Sequence, residues 1–169
     1  RDHTENLLEY LSYKIDRDNN SLSLKGRQKL IAKDILIGSD ISSAAFFIVA
    51  GLIVDGSFIE MRSVNINKFR TGIVTVLREM GADIEISDQK KVSNELVGNI
   101  KVRHSKLKCA DIKGEIIPSL IDELPILFIA CAAATGTSKI SGIEELRYKE
   151  SDRIMAMENG LRAIGINVH

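Results

Sequence analysis

Tryptophan is absent from the sequence, cysteine and proline occur twice each, and the charges cancel because 23 basic side chains balance 23 acidic ones. A net charge of zero disfavours a dedicated nucleic-acid-binding protein, which usually carries a basic surplus. The longest apolar run, Leu124–Ala134, is shorter than the roughly 20 residues that a membrane-spanning helix needs. Because Cys109 and Cys131 are too few for a disulfide framework, we expect reduced thiols and a cytoplasmic protein.

The composition favours a folded protein. Of the 169 residues, 44% are apolar and 27% are charged, which suits one or two compact units and excludes a disordered chain. The chain starts with Arg1 rather than Met and stops at His169, where a strand pattern begins. We therefore expect a piece of a longer polypeptide.

Two stretches of the chain repeat the same order of predicted elements. Each begins with an apolar helix, continues through a glycine turn into a strand, and then forms a helix with an apolar stripe at 3.6-residue spacing. A glycine closes this second helix, as helix C-termini favour. The first helices are Ser42–Val54 and Leu120–Ala134, the strands are Ser57–Arg62 and Thr137–Ile143, and the closing glycines are Gly81 and Gly165. This order predicts an α/β fold built of repeated units.

A fainter third copy lies at the start of the chain, where the apolar stripe of Leu7–Leu11 ends at Ser12 instead of a glycine. Apolar or alternating segments predict further strands. These strands are Leu22–Leu24, Leu30–Ile37, Ile100–Arg103 and Ile166–Val168, together with one around Ile84 and Ile86.

The two clear copies differ in length between strand and helix. Gly56 and Gly81 are 25 positions apart, whereas Gly136 and Gly165 are 29 apart, and the extra residues fall within Glu144–Arg153. Seven of these ten residues are charged. A length change at such a junction is typical of an acquired functional loop, but a solvated loop with a helix cap explains it equally.

Lys149, Glu150 and Arg153 are candidate site residues within this loop. If the helix begins near Glu150, the three side chains lie on adjoining parts of one surface. Two cations at a helix N-terminus form a natural phosphate or carboxylate site, and a carboxylate among them can transfer protons. The alternative is mutual ion pairing at the surface.

Asp122 is the second candidate, because it lies near the start of the most apolar predicted helix, just before Leu124 and Pro125. At a helix N-terminus the dipole favours the charged carboxylate. Asp122 is therefore either a plain helix cap or a general base sheltered by apolar neighbours. The three histidines have no metal-ligand spacing, so we expect no metal site.

Four motifs in this order resemble the EPSP synthase family of 3-phosphoshikimate 1-carboxyvinyltransferases. They are Arg-Asp-His-Thr-Glu at 1–5, Gly-Ser-Asp-Ile-Ser-Ser-Ala-Ala-Phe at 38–46, Ile-Asp-Glu-Leu-Pro at 121–125 and Leu-Arg-Tyr-Lys-Glu-Ser-Asp-Arg-Ile at 146–154. The last motif is the most specific. Ser39 departs from the family pattern by lengthening the glycine–aspartate junction by one residue.

The resemblance implies a fold of two domains, each made of three βαβαββ-type units arranged as an inside-out α/β barrel. Residues 1–38 would be the tail of one domain with the hinge, and residues 39–169 about two units of the other. It also implies transfer of the enolpyruvyl group of phosphoenolpyruvate to the 5-hydroxyl of 3-phosphoshikimate, a shikimate-pathway step that needs no cofactor.

Roles for five residues follow from the resemblance. Asp122 would accept the proton of the attacking hydroxyl, and Glu150 would exchange protons with the methylene carbon of phosphoenolpyruvate. Lys149 and Arg1 would contact 3-phosphoshikimate, and Arg153 would hold phosphoenolpyruvate. The family's other site residues lie outside this chain, so we expect the chain alone to be inactive and to need the rest of the polypeptide as its partner.

Other assignments fit the sequence less well. UDP-N-acetylglucosamine enolpyruvyl transferase shares the implied fold but lacks the Lys-Glu-Ser-Asp-Arg run. An RNA-binding α/β module is disfavoured by zero net charge and by only 3 tyrosines and 5 phenylalanines. A structural module without catalysis of its own remains compatible with the family resemblance.

Overall fold

The computed structural model describes residues 1–18 and 21–169 and has a mixed α/β fold, as the sequence predicts. The helices are α1 (His3–Tyr10), α2 (Ile41–Ile53), α3 (Gly72–Glu79), α4 (Leu124–Ala133) and α5 (Arg153–Ala163). The strands are β1 (Ile15–Asp18), β2 (Ser21–Leu24), β3 (Phe58–Asn65), β4 (Asp83–Val92), β5 (Glu95–Arg103), β6 (Asp111–Ile112) and β7 (Lys139–Ile140). Short 3-10 helices lie at Gly114–Ser119 and Glu144–Tyr148.

The first clear repeat forms an antiparallel sheet in the order β3-β5-β4, with α2 and α3 as its helices. Ser39 forms a parallel bridge with Val64 of β3, so a residual strand precedes α2. The unit therefore has the order β-α-β-α-β-β. Asp40 begins α2 because its carboxylate accepts hydrogen bonds from the backbone N–H groups of Ser42 and Ser43.

The second repeat starts with the same arrangement. Strands β6 and β7 pair in parallel, α4 connects them and α5 follows. Helices α2 and α4 pack against each other and bury a shared apolar core. Burial of each large side chain there, such as Ile48 or Leu127, contributes about 1.5–3 kcal/mol.

The chain leaves three helices through a residue in the left-handed region. Gly81 follows α3 with φ 95°, and Gly165 follows α5 with φ 86°. Ser12, at the matching place after α1, has φ 69°, a conformation that costs a non-glycine residue about 1 kcal/mol or more. The shared geometry supports the faint third copy at the start of the chain, where α1, β1 and β2 repeat the order of α3, β4 and β5.

Two strand predictions are wrong. Residues 30–37 have no strand, because no neighbouring strand among the described residues pairs with them; the segment is held instead by contacts such as the Ile31 N–H donating to the Leu11 carbonyl. Ile166–Val168 has no pairing partner either, and the Ile166 N–H closes the end of α5 by donating to the Leu161 carbonyl.

Other predicted elements differ in length. The helix predicted over Leu120–Ala134 begins only at Leu124, because residues 120–123 form a turn. The strand predicted over Thr137–Ile143 is limited to Lys139 and Ile140. Within the described residues, no helix combines the length and apolar character needed to cross a membrane.

Candidate active site

Asp122 lies in the turn that leads into α4, one residue before the helix cap Glu123. Its carboxylate accepts a hydrogen bond from the Arg1 guanidinium, and its side chain is 32% exposed. That hydrogen bond outweighs partial burial and holds the pKa of Asp122 below its ordinary value, with the charges of Arg1, Lys149 and Arg70 adding to the effect. The cause differs from the helix dipole that the sequence suggests. Asp122 is therefore ionised at neutral pH in a cationic environment.

Lys149 is the second predicted substrate-binding residue that the fold brings towards Asp122. It follows the 3-10 helix Glu144–Tyr148, and its charge lowers the pKa of Asp122. The Lys149 ammonium pairs with Glu145 at 2.6 Å between Nζ and Oε1. Arg1 and Lys149, which are 148 positions apart in the sequence, thus act on one carboxylate.

Glu150 and Arg153 form their own ion pair, with 2.6 Å between Glu150 Oε2 and Arg153 Nη2. The Glu150 side chain is 82% exposed. Its own backbone N–H and then Arg153 lower the pKa of its carboxyl group. Neither residue forms a hydrogen bond or ion pair with Asp122. The Glu150–Arg153 pair is the surface ion pairing that the sequence offers as the alternative to an anion site.

The helix after this loop starts at Arg153, so the condition of a start near Glu150 is not met. Asp152 is the cap: its backbone is extended, and its side chain accepts a hydrogen bond from the Met155 N–H at 2.9 Å. Lys149 and Glu150 therefore lie in the segment before the helix, where they are not held by helical hydrogen bonds. The conformation of the loop, rather than that of the helix, therefore determines the positions of Lys149 and Glu150.

A buried polar cluster behind Asp122 was not predicted from the sequence. Arg70 Nη2 donates to Ser42 Oγ at 2.5 Å and lies 3.3 Å from Asp40 Oδ1 and 3.8 Å from Glu123 Oε1. Ser42 Oγ also donates to the Glu123 carboxylate. The cluster joins the start of α2, the start of α4 and the segment before α3.

Glu123 is the most buried member, with a side chain only 1% exposed. Burial raises the pKa of Glu123, although the hydrogen bond from Ser42 and the charge of Arg70 oppose this effect. Two atoms of the cluster, Arg70 Nε and Glu123 Oε2, are buried without a hydrogen-bond partner among the described residues. One sequence signal could have indicated the cluster: Glu123 directly precedes an entirely apolar helix, where a carboxylate needs a cation or a donor to be buried.

The arrangement has the properties of a proton acceptor within an anion-binding site. An ionised carboxylate can accept a proton from a substrate hydroxyl, and nearby guanidinium and ammonium groups can bind phosphate or carboxylate groups. Among the described residues, no group of three or more histidine, cysteine, aspartate or glutamate side chains could hold a metal ion.

Comparison with known proteins places the chain in a family. The family model described as EPSP synthase (3-phosphoshikimate 1-carboxyvinyltransferase) matches residues 1–169. The 3-phosphoshikimate 1-carboxyvinyltransferase of Methylococcus capsulatus is 47% identical over 167 residues, and that of Geobacter sp. strain M21 is 44% identical over 168 residues. Each match covers 99% of this chain but only 38% and 39% of the respective relative.

A solved structure of EPSP synthase from Acinetobacter baumannii has the same fold over the matched region. The TM-score is 0.95 with 41% sequence identity, covering 99% of this chain and 38% of that structure. The repeated α/β units of this chain are therefore an incomplete part of that fold. On the family match over its whole length, the chain belongs to the EPSP synthase family.

Proposed function

We propose that this chain is part of an enzyme that transfers the enolpyruvyl group of phosphoenolpyruvate to the 5-hydroxyl of 3-phosphoshikimate, releasing phosphate. The chain spans about 39% of the length of its curated relatives, so the whole reaction requires more polypeptide than these residues. The observation that carries the proposal is the contact of Arg1 with Asp122, next to the charge of Lys149. One base and two cations from distant segments meet the needs of a reaction between two anionic substrates.

Asp122 is the proton acceptor in this proposal. The 5-hydroxyl oxygen attacks C2 of phosphoenolpyruvate while its proton passes to the Asp122 carboxylate. That carboxylate accepts a hydrogen bond from Arg1. When the substrate's 3-phosphate recruits Arg1, Asp122 loses the hydrogen bond that lowers its pKa and becomes a stronger base.

Glu150 and Arg153 act at the other substrate. As C2 is attacked, the methylene carbon of phosphoenolpyruvate must gain a proton. When Arg153 leaves its pair with Glu150 to bind this substrate, the pKa of Glu150 rises, and the protonated acid supplies that proton. The proton returns to Glu150 when phosphate departs and the double bond re-forms. Arg153 binds the carboxylate or phosphate of phosphoenolpyruvate. The 2.6 Å pair between Arg153 and Glu150 keeps the acid beside the cation that orients its substrate.

Lys149 binds 3-phosphoshikimate. Its positive charge lowers the pKa of Asp122, so it adds to the field that attracts an anionic substrate to this carboxylate. Glu145, which pairs with Lys149 at 2.6 Å, would be displaced by the substrate.

The proposal keeps the domain division that the sequence predicts. Residues 1–38 belong to one domain and its hinge, and residues 39–169 form about two units of the other. The first segment exposes many apolar side chains, which need a covering surface that further polypeptide supplies. These side chains are Leu22, Leu24, Leu30, Ile31, Ile35, Leu36 and Ile37.

A chimera tests the proposed activity. This chain would replace the matching segment of the Acinetobacter baumannii enzyme, which is 41% identical, and release of phosphate from phosphoenolpyruvate would be measured with 3-phosphoshikimate present. We expect turnover by the chimera and none by the 169-residue chain alone. A chimera that melts like the parent enzyme but shows no turnover would contradict the proposal.

The role of Lys149 has a matched control. In the chimera, Lys149→Met should raise KM for 3-phosphoshikimate by about 10-fold or more, because a charge-assisted hydrogen bond contributes about 1.5–3 kcal/mol. Lys139, an exposed residue of β7, provides the control substitution Lys139→Met, which should leave KM unchanged. Equal KM values for the two variants would show that Lys149 does not bind 3-phosphoshikimate.

A further inference from the structure

The turn between β4 and β5 contacts the N-terminal segment of the chain. Ser93 and Asn94 form this two-residue turn, with φ values of 48° and 66°. Asn94 Nδ2 donates to the carbonyl of Asn6 in α1 at 3.0 Å, and Ser93 Oγ accepts from the Leu36 N–H at 2.9 Å. Residues on both sides of the β1–β2 hairpin are thus attached to one turn of the neighbouring unit.

Glu95, the first residue of β5, is the centre of this contact. His3 Nδ1 lies 2.9 Å and Asn6 Nδ2 3.2 Å from Oε1, while Asn65 Nδ2 lies 3.1 Å and Asn67 Nδ2 3.5 Å from Oε2. The Glu95 side chain is only 17% exposed. Burial raises the pKa of Glu95, but the hydrogen bonds from His3, Asn65 and Asn6 outweigh it, so the carboxyl group stays ionised. An ionised carboxylate can only accept hydrogen bonds, so His3 Nδ1 is the donor.

A second contact fixes the residue before His3. Asp2 Oδ1 accepts a hydrogen bond from Asn67 Nδ2 at 2.6 Å, and Asn67 is itself buried. Asp2 and His3 directly follow Arg1 in the chain. Among the described residues, the Arg1 side chain forms a hydrogen bond only with Asp122, so the position of its backbone depends on these two neighbours.

We propose that Glu95 is a positioning residue: by holding the start of α1 on the β4–β5 hairpin, it directs the Arg1 guanidinium to Asp122. Glu95 touches neither Arg1 nor Asp122 and acts through His3 and Asn6. It also joins α1 to the ends of β3 and β5, so it fixes the N-terminal segment against the sheet of the first repeat. The relevance of this placement to substrate binding rests on the proposed function, whereas the placement itself does not.

The direct readout is the pKa of Asp122, measured by carbon-13 NMR of its carboxyl group during a pH titration of the full 169-residue chain. In Glu95→Gln, the amide NH₂ group faces donors and the charge that attracts them is lost. We expect the pKa of Asp122 to rise towards its ordinary value, as it should in Arg1→Ala. The double variant should show no rise beyond that of Arg1→Ala, because both changes act through Arg1.

Two further variants separate positioning from general stability. Among the described residues, Glu60 on β3 has a side-chain ion pair only with the exposed Arg62, at 3.4 Å, so Glu60→Gln should leave the pKa of Asp122 unchanged. Asn6→Ala removes one donor to Glu95 and keeps the carboxylate. It should raise the pKa of Asp122 in the same direction by a smaller amount, and it serves as the test if Glu95→Gln does not fold.

An Asp122 pKa that stays at the wild-type value in both Glu95→Gln and Asn6→Ala, with Arg1→Ala raising it, would overturn the proposal. A larger rise of the Asp122 pKa in the double variant than in Arg1→Ala would also overturn it, because Glu95 would then act on Asp122 independently of Arg1. The titration needs no turnover, so its failure is distinct from an inactive chimera.

Discussion

The guanidinium of Arg1 donates a hydrogen bond to the carboxylate of Asp122, which lies 121 residues further along the chain. The contact joins the segment before α1 to the turn before α4, and Lys149 adds a further positive charge. Both partners are about one third exposed, so a ligand can reach them. The pair therefore joins two residues to which we assign separate substrate roles.

The Arg1–Asp122 contact should make stability depend on pH. The pKa of Asp122 in the folded state is below its ordinary value of 3.8. Ionised Asp122 therefore stabilises the folded state above pH 3.8, and this stabilisation is lost as the pH falls through the pKa of the folded state. At neutral pH we expect Asp122→Asn to lower the free energy of unfolding by at most about 1 kcal/mol, since the pair is partly exposed. Urea unfolding at pH 7 and in acid measures the difference.

Arg1→Ala is the control for this linkage. In the Arg1→Ala background, the difference in the free energy of unfolding between Asp122 and Asp122→Asn should become smaller at neutral pH and should depend less on pH. A difference that is the same with and without Arg1 would show that another group sets the pKa of Asp122.

Removal of Arg70 should destabilise the fold more than removal of an exposed arginine. Arg70→Met removes the cation that pairs with Glu123, whose side chain is only 1% exposed, and loss of a buried charge's partner costs about 3–5 kcal/mol. Arg62→Met, at a side chain that is 79% exposed, should change the free energy of unfolding by about 0.5 kcal/mol or less. Denaturant unfolding curves measure both.

The double variant Arg70→Met/Glu123→Met tests the cause. It removes the buried charge as well as its partner, so it should be more stable than Arg70→Met alone. If the two substitutions simply add, the loss comes from packing and the electrostatic explanation is wrong.

Gly38 should not tolerate a side chain. A Cβ atom there would lie 2.7 Å from Val97 Cγ1, 3.1 Å from the Ser63 carbonyl oxygen and 3.3 Å from the Asn65 nitrogen. Val97 is buried and the other two atoms are backbone, so Gly38→Ala should cost about 1–3 kcal/mol. Thermal or urea unfolding of the variant measures this cost.

Gly26 is the matched control, because a Cβ atom there would have no neighbour within 4 Å. Gly26→Ala should leave stability unchanged or raise it by up to about 1 kcal/mol. Equal losses at the two positions would mean that the close approach of Gly38 to β3 and β5 does not decide its residue type.

The sequence predicts local structure well where one segment carries the signal. Apolar spacing identifies α2 and α4, and the left-handed residues after α3 and α5 are the glycines expected there. Residues 30–37 are apolar enough for a strand, but strand formation depends on a partner that the segment itself does not encode. The start of α5 moves to Arg153 because Asp152, rather than an earlier polar residue, provides the cap.

The residues of the candidate site also fall into those that local motifs identify and those that depend on contacts between distant segments. The motifs identify Arg1, Asp122 and Lys149, and the structure adds that they lie near one another. The cluster of Arg70, Ser42 and Glu123 depends on contacts between residues up to 81 positions apart, which no local pattern specifies. Glu95 is hidden for the same reason, since its partners come from α1 and from the end of β3.

The most direct test of the account is kcat of the Asp122→Asn chimera for enolpyruvyl transfer. A general base contributes about 10²–10⁴-fold, so we predict a fall of at least about 100-fold, while Asp111→Asn, at the exposed first residue of β6, leaves kcat unchanged. A folded Asp122→Asn chimera with kcat within about 3-fold of the unsubstituted chimera would contradict the central claim that Asp122 is the proton acceptor, because loss of a base exceeds that factor.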